Sequence, residues 1–80
     1  MRPSITESSL ALFVEFANDA CNWNGTPLIG GNILVSKAGR GNLTQLKKEG
    51  LVKTFVEGGD TWLEFTPAGI ILAAEHGIKI

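Results

Sequence analysis

The chain has 80 residues, a length that allows one domain with a modest core. With 44% hydrophobic and 19% charged residues, the composition excludes a disordered chain, and no apolar run reaches the roughly 18 residues of a membrane span. The net charge of −1 does not by itself indicate nucleic-acid binding. The single cysteine, Cys21, cannot form an internal disulfide and favours a reducing, cytoplasmic setting. We expect one cytoplasmic domain over residues 1–80, with no membrane segment.

The first predicted element is a helix from Ser4 to about Ala20 or Cys21. Ser4 followed by Glu7 fits a capping box, with Ser4 as the N-cap. Apolar residues at helical spacing form a stripe that we expect to face the core. This stripe consists of Leu10, Leu12, Phe13, Phe16, Ala17 and Ala20. A polar turn over residues 22–27 then ends the helix.

Two short elements are predicted next. Leu28 and Ile29 favour a very short strand. After a break at residues 30–32, which include two glycines, the apolar residues 33–35 favour a short helix. These two elements would connect the first helix to the longer helix that follows.

A third helical segment is predicted over residues 36–49, with Leu43 and Leu46 pointing to the core. Glycines inside this segment cost about 1 kcal/mol each relative to alanine, so its start has two interpretations. Either the regular helix begins only near Asn42, or Gly39 allows another helix to approach closely. In both cases the polar side of the helix faces away from the two leucines.

The clearest local signal is a β-hairpin formed by residues 51–57 and 60–66. Both runs are rich in β-branched and aromatic residues, and Gly58-Gly59 suits a two-residue turn with positive φ. This turn fixes the register and predicts two faces. On the expected core face, the pairs are Val52 with Phe65, Thr54 with Leu63, and Val56 with Thr61. On the outer face, the pairs are Lys53 with Glu64 and Phe55 with Trp62.

A last helix is predicted to start at Thr66-Pro67, with Thr66 as N-cap and the proline at the first helical position. Its apolar stripe is expected at Ile70, Ile71 and Ala74. His76-Gly77 should end it, because glycine suits the left-handed C′ position.

Two segments around the hairpin carry a resemblance to a known family. Residues 43–52 have the pattern Leu-x-x-Leu-x-x-x-Gly-Leu-Val, which resembles the end of the recognition helix in winged-helix repressors of the MarR and ArsR kind. Residues 63–69 look like the segment after the wing in MarR-type domains, with Phe65 in place of a leucine. The resemblance covers about residues 5–77. It implies an α+β winged helix-turn-helix fold, with a three-helix core, a two-stranded hairpin wing and a C-terminal helix.

The resemblance also implies that the third helix, about residues 36–49, enters the major groove of double-stranded DNA. Five of the seven cations lie in residues 37–53 beside one acid, and five against one gives a local charge of about +4. The predicted DNA-contacting residues are Lys37, Arg40, Asn42, Thr44, Gln45, Lys47 and Lys48. Thr44 and Gln45 would read base edges, and the cations would hold phosphates. The alternative is an ordinary solvated helix face.

The wing favours a different kind of partner. Glu57 and Asp60 at its tip would repel phosphate, so we expect the tip to stay away from DNA. Phe55 and Trp62 share the outer face as a predicted partner or dimer surface. The alternatives are that this pair only stabilises the hairpin, or that Trp23 covers it.

Two functions therefore stay open. The first is a small transcriptional regulator that binds a specific double-stranded DNA site, for which a homodimer on a two-fold site is plausible. The second is a winged-helix adaptor that binds protein through the aromatic wing face. A phage or plasmid accessory protein would be compatible with either. Asp19 and Cys21 at the end of the first helix and His76 at the end of the last helix have no ligand-like spacing, so we expect no enzyme, no metal site and no cofactor.

Overall fold

The computed structural model describes residues 5–31, 33 and 35–80. Within this part of the chain, three α-helices and one two-stranded antiparallel hairpin form a small α+β fold. The elements in chain order are α1 (Glu7–Asp19), a 3-10 turn (Ala20–Asn22), α2 (Lys37–Lys48), β1 (Val52–Glu57), β2 (Asp60–Phe65) and α3 (Pro67–Glu75). Each helix in the described residues is too short or too polar to cross a membrane.

Helix α1 begins later than the sequence predicts. Its N-cap is Thr6, whose Oγ1 accepts a hydrogen bond from the Ser9 N–H at 3.1 Å. The prediction of Ser4 as N-cap is wrong because Thr6 satisfies this otherwise unpaired donor; Ser4 itself lies outside the described residues. The predicted apolar stripe is confirmed, with Leu10 half-buried and the other members buried.

The segment after α1 forms single β-bridges. Leu28 pairs antiparallel with Trp62, the Ile29 N–H donates to the Thr61 carbonyl at 3.0 Å, and the Leu63 N–H donates to the Pro27 carbonyl at 2.9 Å. The predicted strand at Leu28 and Ile29 is therefore present only as a short extended segment along the free edge of β2.

The short helix predicted over residues 33–35 is wrong at its described positions. Ile33 forms a parallel bridge with Ile29, and Val35 has no regular structure. The Gly31 N–H donates to the Leu28 carbonyl at 3.4 Å, which closes a tight turn in which Gly30 has a φ of +87°. Three residues next to such a turn are too few to nucleate a helix. Leu34 lies outside the described residues.

Helix α2 confirms the third predicted helical segment. It starts at Lys37, not near Asn42, because the Ser36 Oγ caps it by accepting from the Gly39 N–H at 3.1 Å. Gly39 is buried, and a Cβ there would lie 3.1 Å from Cγ1 of Val35. The glycine therefore makes room for the chain that leads into the helix, and not for another helix.

The hairpin has the predicted register, including the cross-strand pairs of both faces. Gly58 and Gly59 have φ angles of +63° and +84°, as a type I′ turn requires. The prediction that this face packs against the core is only partly correct, because the part of the face near the turn is exposed to solvent. Val56 is 73% exposed, and Thr61 is also exposed. The residues on this face that reach the core are Val52, Leu63 and Phe65.

Helix α3 has the predicted caps but a different orientation. Thr66 is the N-cap and Pro67 follows it, as expected. The predicted stripe is wrong, because Ile70 and Ile71 are 44% and 65% exposed and Ala74 is exposed. The buried residues are Gly69, Leu72 and Ala73. Their spacing is also helical, and the close approach of Gly69 to the main chain of Leu51, just before β1, sets the rotation.

Candidate nucleic-acid interface

The outward side of α2 carries a group of exposed cations. Leu43 and Leu46 are buried and fix the rotation of the helix, so that the opposite side faces solvent. The exposed cations on α2 are Lys37, Arg40, Lys47 and Lys48. No acid occurs within the helix, and Glu49 stands at its C-cap. We call these four side chains the basic face.

A groove separates part of the basic face from the hairpin. Its volume is about 410 Å³, and Arg40 and Lys47 line its helix side. Thr54 and Thr61 line its hairpin side. Apolar lining comes from Ile29, Val35 and Leu43. The groove thus combines two cations with two hydroxyl groups above an apolar floor, a combination suited to an anionic chain.

The two threonines were predicted as core residues and not as part of a site. Strand alternation places them on the inner face of the hairpin, where they pair with Leu63 and Val56. Thr61 is exposed and Thr54 half-buried, because the core ends near the base of the hairpin. The sequence did carry a signal for this site, since both residues are polar at positions that were assigned to the core.

Thr44 lies among the cations and is exposed. Its hydroxyl donates to the Arg40 carbonyl one turn earlier at 2.9 Å. With the proton engaged in this bond, the Thr44 oxygen is left mainly as an acceptor. The structure therefore places this predicted contact residue on the basic face, with restricted hydrogen-bonding capacity.

Two of the predicted contact residues face α1 instead of solvent. The Gln45 Oε1 accepts from the Thr6 N–H at 3.0 Å, and the Ser9 hydroxyl donates to the Asn42 Oδ1 at 3.2 Å. Both Gln45 and Asn42 are half-buried. In a capping box, a side chain three residues after the N-cap accepts from the N-cap N–H; Gln45 supplies that acceptor from a neighbouring helix.

The outer face of the hairpin holds the other predicted surface, Phe55 and Trp62, both half-buried. The Trp23 ring packs edge-on against Trp62, with ring centroids 5.6 Å apart and planes at 68°. Of the alternatives considered for Phe55 and Trp62, the one in which Trp23 packs against them is therefore confirmed for Trp62. The three rings leave a cleft of about 360 Å³ between them and the neighbouring loop.

Comparison with known proteins adds no relationship. No protein-family model matches the chain, and neither a curated protein nor a solved structure shows significant similarity to it. Among the described residues, no group of three or more His, Cys, Asp or Glu side chains is arranged to hold a metal ion. The structure itself defines a small α+β domain with a basic helix on one side of a hairpin and an aromatic cleft on the other.

Proposed function

We propose that this chain binds double-stranded DNA through α2 and acts as a small winged-helix transcriptional regulator. The observation that carries the proposal is the basic face: four exposed cations on one side of a helix that contains no acid. The order of helices and hairpin is compatible with a winged-helix layout in which α2 is the recognition helix and the hairpin is the wing.

The dimensions of α2 suit this role. An α-helix is about 10–12 Å across, which fits a major groove about 12 Å wide. Lys37 and Lys48 lie eleven residues apart on the same side, a separation of about 16 Å along the helix axis. This length spans several phosphates of one DNA strand, so the cations can contact the DNA backbone while the helix lies in the major groove.

The groove beside α2 would hold the DNA backbone. Arg40 and Lys47 supply charge on one wall, and the hydroxyl groups of Thr54 and Thr61 can donate to phosphate oxygens from the other. Wing contacts would then come from the inner face of the hairpin. Its acidic tip would stay clear of the duplex, as repulsion between carboxylates and phosphates requires.

Reading of the DNA sequence would depend on few side chains. Asn42 and Gln45 hold α1, so in this proposal they position the helix and are not base readers. Arg40 and Lys48 can donate to guanine, and Thr44 can accept from a base edge. We therefore expect strong salt dependence and modest sequence preference.

The test is duplex binding over a salt series, measured by fluorescence anisotropy with a labelled random-sequence duplex of 20 base pairs. Lys48→Ala removes one cation from the basic face, and Lys79→Ala removes one exposed cation outside it. We expect Lys48→Ala to reduce the slope of log K against log salt by about 0.9, as loss of one phosphate contact predicts, and Lys79→Ala to leave it unchanged. Absence of binding at low salt, or equal slopes for both variants, would refute the proposal.

A second candidate function is the protein-binding adaptor, which the aromatic cleft favours. Phe55, Trp62 and Trp23 form a recess on the side of the hairpin away from α2, and acids stand at the adjacent tip. If the duplex assay shows no binding while a protein partner depends on Phe55, the adaptor becomes the primary function.

A further inference from the structure

The aromatic cleft is a recess in the surface and not a flat patch. Two tryptophans and a phenylalanine line it together with polar loop residues. Its lining includes Trp23, Phe55, Trp62, Glu57, Asn22 and Asn24. Strand alternation places Phe55 and Trp62 on the face opposite Thr54 and Thr61, so the cleft and the basic face of α2 lie on different sides of the hairpin.

Both indole rings are held in place by hydrogen bonds within the protein. The Trp23 Nε1–H donates to the buried Asp19 carboxylate at 2.9 Å, and the Trp62 Nε1–H donates to the Glu57 carbonyl at 3.1 Å. Asn22 also donates to Asp19 at 2.9 Å, which fixes the loop that carries Trp23. The rings are therefore preorganised without a ligand.

These internal bonds also decide what a ligand would find in the cleft. Since each indole N–H is already engaged, the rings offer only π surfaces and edges. The Glu57 carboxylate offers acceptors only, whereas each of the two asparagine amides offers an acceptor as well as donors. The cleft thus combines aromatic surface with an excess of acceptors, which suits a ligand rich in donors.

The charge on the outer face of the hairpin also favours a ligand rich in donors. Lys53, Phe55 and Glu57 of β1 alternate onto this face, opposite Glu64, Trp62 and Asp60 of β2. Three acids against one cation give this face a charge of −2. All four charged side chains are exposed. Phosphate would be repelled here, and a cation would be attracted.

We propose that the aromatic cleft binds an arginine or lysine side chain from a basic segment of another protein. A guanidinium or ammonium group would lie over the indole and phenyl surfaces in a cation–π contact while Glu57 balances its charge. A volume of about 360 Å³ accommodates one such side chain with part of the adjoining main chain. The proposal uses residues outside the basic face, so it does not depend on DNA binding.

The two tryptophans of the chain both lie in the cleft, so their indole N–H signals in a ¹⁵N-labelled protein report on it directly. The probe is acetylated hexa-arginine amide. Its matched control is hexa-citrulline, which keeps the shape of the side chain but removes the charge. We expect hexa-arginine to shift both indole signals in a saturable manner and hexa-citrulline to bind at least tenfold more weakly.

Two charge variants locate the binding. Glu57→Gln removes the carboxylate but keeps the main-chain carbonyl that holds Trp62, and Glu75→Gln removes an exposed acid on α3. We expect Glu57→Gln to weaken hexa-arginine binding about two- to fivefold, the size of one exposed charge pair, and Glu75→Gln to leave it unchanged. Phe55→Leu, checked for thermal stability, should weaken it to a similar degree.

Three results would overturn the proposal. Equal affinity of hexa-citrulline would show that charge is not recognised. Equal weakening by Glu57→Gln and Glu75→Gln would show diffuse attraction without a site. Tighter binding of a single-stranded oligothymidine that shifts the same indole signals would identify the cleft as a nucleobase-stacking surface.

Discussion

Gly69 in the first turn of α3 stands directly against the main-chain carbonyl of Leu51, at the entrance to β1. A Cβ built on Gly69 would overlap the Leu51 oxygen and lie 3.1 Å from its carbonyl carbon. The same carbonyl accepts from the Thr66 N–H at 3.1 Å, so the end of β2 and the start of α3 are both anchored to this point. The contact determines how closely α3 packs and which of its sides is buried.

The first prediction is that Gly69→Ala destabilises the fold. The obstacle is main chain, which cannot move aside as a flexible side chain does, so α3 must shift away from β1. We expect a loss of about 2–4 kcal/mol in the free energy of unfolding, at or above the usual range for overpacking. Urea denaturation followed by far-UV circular dichroism measures it.

Gly41→Ala is the matched control. A Cβ on Gly41 meets nothing within 4 Å, and this residue is an exposed position inside α2. The alanine should stabilise the protein by about 0.5–1 kcal/mol through helix propensity. If both alanines had the same effect, the close approach of Gly69 to Leu51 would not be what constrains α3.

The second prediction concerns the orientation of α3. Leu72 is buried, whereas Ile71 beside it is 65% exposed. Leu72→Ala should cost about 2–4 kcal/mol in the free energy of unfolding, because it leaves a cavity in the core. Ile71→Ala should change it by less than about 1 kcal/mol. The reverse order would restore the orientation expected from Ile70, Ile71 and Ala74.

Local chemistry made the hairpin predictable from the sequence. Gly58-Gly59 permits a two-residue turn with positive φ, and once the turn is fixed every cross-strand pair follows. The N-cap of α3 was equally local, since Thr66 accepts from the Gly69 N–H three residues later.

Long-range contacts were not predictable in the same way. The orientation of α3 depends on Gly69 meeting Leu51, and periodicity could not choose between two apolar stripes on a helix that is apolar nearly all round. In the candidate site, the cations of α2 were predicted because charge appears in the sequence. The Gln45–Thr6 contact joins residues 39 positions apart and leaves no signal in a single sequence.

The third prediction is that Asp19→Ala loosens Trp23 and weakens the fold. Asp19 is buried and accepts from the Trp23 indole and the Asn22 side chain. Its removal leaves these donors without their acceptor and the aromatic cleft without its anchor, so we expect a loss of about 1–3 kcal/mol. Chemical denaturation gives the stability, and a red shift of tryptophan emission reports the added exposure of Trp23.

Asp19→Asn tests the same contact without deleting the side chain. The amide oxygen can still accept one hydrogen bond, so this variant should lie between the wild type and Asp19→Ala in stability. An emission spectrum of Asp19→Ala identical to that of the wild type would mean that Trp23 is held by other contacts.

The fourth prediction separates two roles for Gln45. If Gln45 positions α1, as its bond to the Thr6 N–H indicates, Gln45→Ala should lower the free energy of unfolding by about 1 kcal/mol, like the loss of an N-cap. Gln45→Glu keeps an acceptor oxygen and adds negative charge at the N-terminus of α1, where the helix dipole favours it. This variant should be at least as stable as the wild type. Urea denaturation of both variants gives the comparison, and amide hydrogen exchange in the first turn of α1 locates the effect.

A base-reading role for Gln45 predicts a different pattern. Both substitutions would then leave the stability unchanged, and the preferred duplex sequence would change in selection from a random library. Unaltered protection of the first turn of α1 in Gln45→Ala, together with altered sequence preference, would return Gln45 to the DNA-contacting surface. Loss of protection without a change in preference would place it among the residues that hold α1 against α2, and would leave recognition to Arg40, Thr44 and Lys48.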